Sequence, residues 1–349
     1  MRVGVRKKGG GMIRTLVMAG MLLVCLFGSQ GFPAAAEAAG SLDDCSGIDD
    51  DAARLRCYDE IAGRKPKAPA VTAAPAPPAD SRREEPSFMS KRWQLDEESR
   101  KKRFAIMSHR QNYLLPFTYN FHQEKETYES ISPNSDVDDA EAKYQISLKV
   151  KLWQDILGTP MDLWFGYTQM SLWQVYNTES SSYFRETNYE PEVLLNYRTN
   201  TDIFGLMRSR YVQVGFNHQS NGRSEPLSRS WNRIVANFGF ERDVFNAQIK
   251  TWLRIPESDD KDDNPDITSY MGYGELWLGT VWKDYHLGLM LRNNLRFDDN
   301  RGALQFELSF PLIEHINGYV QYFVGYGESL IDYNHYTNRI GVGMMLKDW

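Results

Sequence analysis

Past residue 27 the sequence contains no run approaching 18 consecutive apolar residues, so nothing there is able to cross a bilayer as a helix. Cysteine is scarce. Of three in all, Cys25 lies in the amino-terminal apolar run, and Cys45 and Cys57 lie beyond it. Two cysteines without a neighbouring histidine are too few for a zinc site, whereas in an exported chain an even pair reads as one disulfide. Excess positive charge is also lacking: the net charge of -6 gives no reason to expect nucleic acid as a partner. What the chain has in quantity is aromatic residues, 13% of the total, with 19 Tyr and 9 Trp. A mean hydropathy of -0.53 would ordinarily mark a soluble chain. A membrane β-barrel reconciles the two, because lipid-facing apolar and lumen-facing polar residues alternate while aromatics gather at the interfaces.

The first residues read as an address. Arg2, Arg6, Lys7, Lys8 and Arg14 precede an apolar run over 16–27, and A-x-A spacings follow at Ala34–Ala36 and Ala36–Ala38. This pattern predicts a signal peptide over residues 1–36, cleaved after Ala36 or Ala38. Val24, bulky and just before Cys25, argues against a lipoprotein signal. Residues 37–62 read as a small helical module closed by Cys45 and Cys57. Residues 63–103 read as a linker, Pro/Ala-rich and then densely charged, with 81–103 a solvated helix or unstructured.

From residue 104 the period changes to two. Tyr144, Ile146, Leu148, Val150 and Leu152 alternate with Lys143, Gln145, Ser147, Lys149 and Lys151. Leu304, Phe306, Leu308, Phe310 and Leu312 repeat the pattern, as do Ile340, Val342, Met344 and Leu346, and Trp349 ends the chain on an aromatic. Alternation over about ten residues, repeated between polar loops, predicts an all-β fold over 104–349: an antiparallel transmembrane β-barrel. At about 20 residues per strand and connection, and with an even strand number, that length gives about 12 strands. A soluble sandwich or lipocalin-like barrel is the alternative.

Chemistry concentrates in residues 211–240. Val212, Val214, Phe216, His218 and Ser220 share one parity, and Asn232 falls in line with Ile234, Ala236, Phe238 and Phe240 on the next strand. If the apolar faces meet lipid, an imidazole, a hydroxyl and an amide lie outside the barrel near one rim, where polar groups are costly unless paired or functional. Their other reading is three interfacial residues above the hydrocarbon band. Serine needs an adjacent base to act as a nucleophile, an imidazole can supply it, and an amide can hold the ring in the useful tautomer. The G-x-S-x-G elbow is absent, which fits a serine presented from a strand.

The segment HQSNGRSEPLSRSWNR (218–233) resembles the active-site segment of the outer membrane phospholipase A family. So do YTQ (167–169), SSYFRETNYEP (181–191), DDNPDITSYMGY (262–273), GYGESLIDYN (325–334) and RIGVGMML (339–346). The resemblance covers the barrel but not the region before about residue 100. It implies that Ser220 is the nucleophile, His218 the general base and acid, and Asn232 the residue orienting the imidazole. It implies Ca2+ held in an active homodimer by the carbonyl of Arg223, by Ser228 and by Ser181 of the partner subunit. Gln169 matches a polar residue of the family's dimer interface, and Asp263 one acidic residue of a calcium site in the monomer. Glu225 stands where the family has aspartate, which keeps the charge and changes its reach. Residues 257–266 (ESDDKDDNPD) read equally as that calcium site or as an ordinary acidic loop.

The function implied is calcium-dependent hydrolysis of phospholipid and lysophospholipid acyl esters in the outer membrane, regulated by dimerisation. A channel or purely structural barrel is the competing reading. It accounts for the alternation but not for the matched segments or the outward polar triplet.

Overall fold

The computed structural model describes residues 42–64, 86–102, 104–129, 136–179 and 182–347. The signal-peptide expectation, residues 65–85 with most of the Pro/Ala stretch, Ser181 and Trp349 lie outside the described residues. Two compact units divide the chain near Arg82. In the first, helix α1 (Leu42–Ser46) and helix α2 (Asp51–Ile61) are joined by the Cys45–Cys57 disulfide, as the cysteine count predicts. Asp50 caps α2 by accepting from the Ala53 N–H at 2.8 Å, yet no residue of α2 is buried. A hairpin with so little core relies on its cross-link, which for a loop of this order contributes about 3 kcal/mol.

The second unit is a closed antiparallel barrel. Its strands are β1 (Ile106–Ser108), β2 (Tyr113–Asn120), β3 (Ala140–Trp153), β4 (Met161–Trp173), β5 (Phe184–Ile203), β6 (Met207–Ser220) and β7 (Ser230–Arg242). They continue with β8 (Phe245–Ile255), β9 (Gly274–Trp282), β10 (Tyr285–Asn293), β11 (Gly302–Ile313), β12 (Ile316–Tyr326) and β13 (Tyr336–Leu346). Strands β2 to β13 pair in sequence and β13 closes onto β2, giving the 12-stranded barrel that length and alternation predict. β1 is a short extra strand on β3, and both β1 and β2 pair with β3 at different heights. Asn112, in the gap between them, accepts from the Ser147 N–H at 2.7 Å and donates to its carbonyl at 3.1 Å, substituting for strand pairing.

Burial follows parity as the period-two pattern requires. Lys143, Ser147, Lys149 and Lys151 point into the lumen and are buried, while Ile146 and Leu148 face out. Ile340, Val342, Met344 and Leu346 are likewise outward. Outward aromatics gather at both rims, with Trp153, Tyr197, Trp282 and Tyr285 at one and Phe184, Tyr189, Tyr273 and Tyr336 at the other. Short turns join the strands at the first rim and long loops at the second. No helix among the described residues is long and apolar enough to cross a membrane.

The lumen is filled with paired charge. Arg185 bonds Glu141 at 3.0 Å and Asp332 at 2.6 Å, and Arg339 bonds both Glu141 and Glu328 at 2.8 Å. Lys143 reaches Glu328 at 2.8 Å, and Glu190 takes Arg110, Arg233 and Lys250. In these pairs each buried charge has an opposite partner, without which burial would be prohibitive.

One expectation is corrected. Residues 86–102 are neither a solvated helix nor an unstructured linker, but enter the lumen at the short-turn end. Ser87 caps helix α3 (Phe88–Trp93), which stops at Gln94 in a left-handed conformation. Met89, Trp93 and Leu95 are buried in the largest apolar cluster of the barrel, beside Trp164, Leu194 and Tyr211. The Trp93 ring lies 5.6 Å from Trp164, and the Lys149 ammonium stands 3.7 Å above it. Ser87 donates to Glu241 at 2.6 Å, and Arg210 bridges Glu241 and Asp96 at 2.8 Å each. The charge density of the segment concealed an apolar face that the lumen, and nothing local, buries.

Candidate active site

β6 and β7 form a hairpin whose loop, 221–229, opens at the long-loop rim. Pairing sets His218 opposite Asn232 and Ser220 opposite Ser230. Cross-strand partners project to one face, and here that face is outward: Val214, Phe216 and Ile234 are exposed, while Gln213, Asn217, Trp231 and Arg233 fill the lumen side. His218 Nδ1 and Asn232 Oδ1 are 2.9 Å apart. Ser220 stands two residues further along the same face, next to the loop. The three residues singled out by parity therefore share one rim of one hairpin, with imidazole and amide in hydrogen-bond contact.

The sequence reading missed the parts that hold this hairpin's end. Asn221, buried directly after the serine, takes the Arg229 N–H at 3.0 Å and that of Arg223 at 3.3 Å, and donates to the Leu227 carbonyl at 2.8 Å. One amide thus closes the loop. Gly222 follows at φ +66°, and a Cβ there would stand 3.2 Å from the Tyr189 ring. A side chain is disfavoured at this position on both counts. The Ser230 N–H donates to Asn264 at 3.0 Å, tying the loop to residues 256–273. Asn-Gly after a strand signals a turn, but nothing local told which groups Asn221 and Asn264 would serve. Glu257 was also missed as an individual residue: its carboxylate accepts from Asn232 Nδ2 at 2.9 Å.

The residues carried as metal ligands cluster around the same loop. Arg223 spends its guanidinium on the carbonyls of Phe184 and Arg185, at 3.2 and 2.5 Å, which anchors its backbone against β5. Ser228 Oγ donates to Asp263 at 2.6 Å. Glu225 is exposed, and a hydrogen bond to Asp263, then partial desolvation and the charge of that carboxylate, push its carboxyl above the ordinary value. Two neighbouring carboxyl groups with a hydroxyl beside them are a hard-oxygen set of the kind calcium takes. No cluster of three or more His, Cys, Asp or Glu residues able to hold a metal occurs among the described residues. Backbone carbonyls and water would have to complete a shell. Two strands from Ser220, in the same cross-strand row through Tyr189, Gln169 faces outward with Tyr144 and Tyr167, at 3.4 and 3.3 Å from their hydroxyls.

A closed barrel with an outward polar triplet near one rim, two of its members hydrogen-bonded, fits a class: an outer-membrane enzyme whose site opens on the bilayer. The sequence model of the family described as Phospholipase A1 matches residues 89–346. Phospholipase A1 of Escherichia coli K12 is 41% identical over 248 residues, covering 70% of this chain and 82% of that protein. A putative phospholipase A1 of Neisseria meningitidis is 37% identical over 349 residues, covering 87% of this chain and 90% of that one. Among solved structures, outer membrane phospholipase A from Escherichia coli superposes with a TM-score of 0.65 at 41% identity, over 69% of this chain and 94% of that chain. The Salmonella typhi outer membrane phospholipase dimer with bound calcium gives 0.67 at 38% identity, over 73% and 95%. The chain belongs to the phospholipase A1 family. It is an outer-membrane phospholipase.

Proposed function

We propose that this phospholipase hydrolyses acyl esters of phospholipids and lysophospholipids, at sn-1 and sn-2, by a serine–histidine–asparagine mechanism that needs calcium and a homodimer. The observation that carries the reading is the His218–Asn232 contact with Ser220 on the same outward face. Lipid reaches that face by lateral diffusion, so the substrate never leaves the bilayer. Asn232 Oδ1 accepts from His218 Nδ1–H, which leaves Nε2 free to take the Ser220 proton. The serine oxygen attacks the acyl carbonyl, and the imidazolium returns the proton to the departing glycerol oxygen. Water then cleaves the acyl-serine by the same proton exchange in reverse.

Calcium fits the oxygen donors present. Ser228, the Arg223 carbonyl and Ser181 of the partner subunit would hold it in the dimer, and Glu225 with Asp263 in the monomer. Held in the dimer site, it would supply Lewis-acid polarisation of the ester carbonyl. The Salmonella typhi relative supports this reading as a dimer with bound calcium. Residues 1–36 serve as the export signal, and residues 37–62 as an accessory module.

Fatty-acid release from mixed micelles, with calcium and with EDTA, tests the reading. Ser220→Ala is expected to lose roughly 10⁴-fold in kcat or more, and EDTA to silence the wild type. A Ser220→Ala protein as active as wild type, or release indifferent to EDTA, would overturn it.

A further inference from the structure

An asparagine in the third position of the triplet has a defect that aspartate does not: its two ends are nearly isosteric and opposite in hydrogen-bonding sense. With Oδ1 toward His218 Nδ1, the ring carries its proton on Nδ1 and keeps a lone pair on Nε2. Turned by 180°, the amide offers Nδ2, which favours the proton on Nε2, and such a ring cannot take a proton from serine. Something outside the triplet has to choose the orientation.

The structure supplies that group. Ile255 is the residue of β8 that pairs with Asn232. Glu257, two residues on, has the same parity and so continues the outward face just beyond the strand. Its carboxylate lies 2.9 Å from Asn232 Nδ2. A carboxylate only accepts, so the atom facing it must be the amide N–H, and the planar amide then directs Oδ1 at His218, 2.9 Å away. Chains of hydrogen bonds polarise one another, so the carboxylate also makes Oδ1 a stronger acceptor.

We propose that Glu257 is a positioning residue of this site. It locks the Asn232 amide in the orientation that holds His218 as the Nδ1–H tautomer, and it lends the asparagine the negative charge it lacks. The proposal rests on Ser220 and His218 acting as nucleophile and base. It also separates Glu257 from the acidic residues after it in the 257–266 stretch: Asp262 is taken by Arg254, and Asp263 by Ser228.

Kinetics in mixed micelles at saturating calcium test it with five proteins: wild type, Glu257→Ala, Glu257→Gln, Asn232→Ala and the Glu257→Ala/Asn232→Ala pair. Glu257→Ala is expected to lower kcat about tenfold at unchanged KM, the order by which removing the outer partner of a metal-bound histidine lowers activity. Glu257→Gln, which carries no charge and whose amide can turn either end to Asn232, is expected to recover little of that loss. In the Asn232→Ala background Glu257→Ala is expected to change kcat by less than about twofold, because the group it acts through is gone. A residue that merely braces the 256–273 loop would cost the same factor in both backgrounds. That result, or a Glu257→Ala enzyme with wild-type kcat, would overturn the proposal. The ¹⁵N spectrum of the wild type, with His218 assigned by its loss in His218→Gln, needs no Glu257 variant to fold. Nδ1–H supports the proposal, and a resting Nε2–H ring overturns it. Ser220→Ala in the same assay keeps the two readings apart: an active Ser220→Ala enzyme ends the mechanism, whereas a dead one beside an unaffected Glu257→Ala ends only the role of Glu257.

Discussion

The Glu225 carboxyl at the rim is held above its ordinary value beside Asp263, and the consequence for pH follows from that sign. A carboxyl raised above its ordinary value, by a hydrogen bond to a neighbouring carboxyl and then by partial desolvation and that neighbour's charge, holds a proton that the unfolded chain would release. The pair therefore costs stability as pH rises from the ordinary carboxylate range through the raised value, and a divalent cation that replaces the proton removes that cost. Calcium is expected to raise the thermal midpoint of the protein near neutral pH, by an increment that shrinks as pH falls through the raised value. Glu225→Gln is expected to match or exceed wild-type stability without calcium and to lose most of the calcium increment. Thermal scans with and without calcium, at neutral and acid pH, check both. An increment equal in the two proteins would remove the pair from the cation site.

The element that most changes the picture of the barrel is α3 with the residues that follow it. Met89 and Trp93 are fully or almost fully buried, and the Trp93 ring is in contact range of Trp164, Tyr211 and His109. Truncating a buried tryptophan costs about 3–5 kcal/mol, and here it also withdraws the ring on which the Lys149 ammonium stacks. Trp93→Ala is expected to lower the urea midpoint of the detergent-solubilised barrel by a corresponding amount. It is also expected to raise ion conductance across planar bilayers, since the residue fills the short-turn end of the lumen. Unchanged conductance with lost stability would mean that the charge pairs deeper in the lumen close it unaided. The site at the opposite rim is held by separate contacts, so loss of fatty-acid release should follow loss of fold and not precede it.

For the whole molecule, the outward face of β3 and β4 carries the polar group least at home in lipid. Gln169 bonds only weakly to Tyr144 and Tyr167, at 3.4 and 3.3 Å, and its register partners Ile146 and Tyr189 face out with it. In the proposed dimer, two copies meeting across a two-fold axis would satisfy both amides. A hydrogen bond in such a setting is worth about 1 kcal/mol. Gln169→Leu is accordingly expected to weaken calcium-dependent association several-fold in sedimentation equilibrium, with the monomer's fold intact. Association as strong as in wild type would place the contact elsewhere on the barrel.

Much of this was legible in the linear chain, because alternation is a property of each strand alone. Ile146 and Leu148 against Lys143, Ser147 and Lys149 announced the two faces of β3 wherever that strand ended up. The same parity put His218, Ser220 and Asn232 on one outward surface. Length and an even strand number led to 12 strands, and the count of cysteines to the Cys45–Cys57 bond. What parity does not contain is who meets whom across loops. The Asn221 amide closing 221–229, Asn264 taking the Ser230 N–H, and Glu257 facing Asn232 all depend on how two loops lean together above the rim. The entry of residues 86–102 into the barrel was equally beyond reach. A short, highly charged segment buries Met89 and Trp93 only where a lumen lined by Trp164, Leu194 and Tyr211 already exists to receive them. Periodicity set the barrel and the direction of its side chains, and only closure of the barrel created the interior and the rim in which distant segments became neighbours.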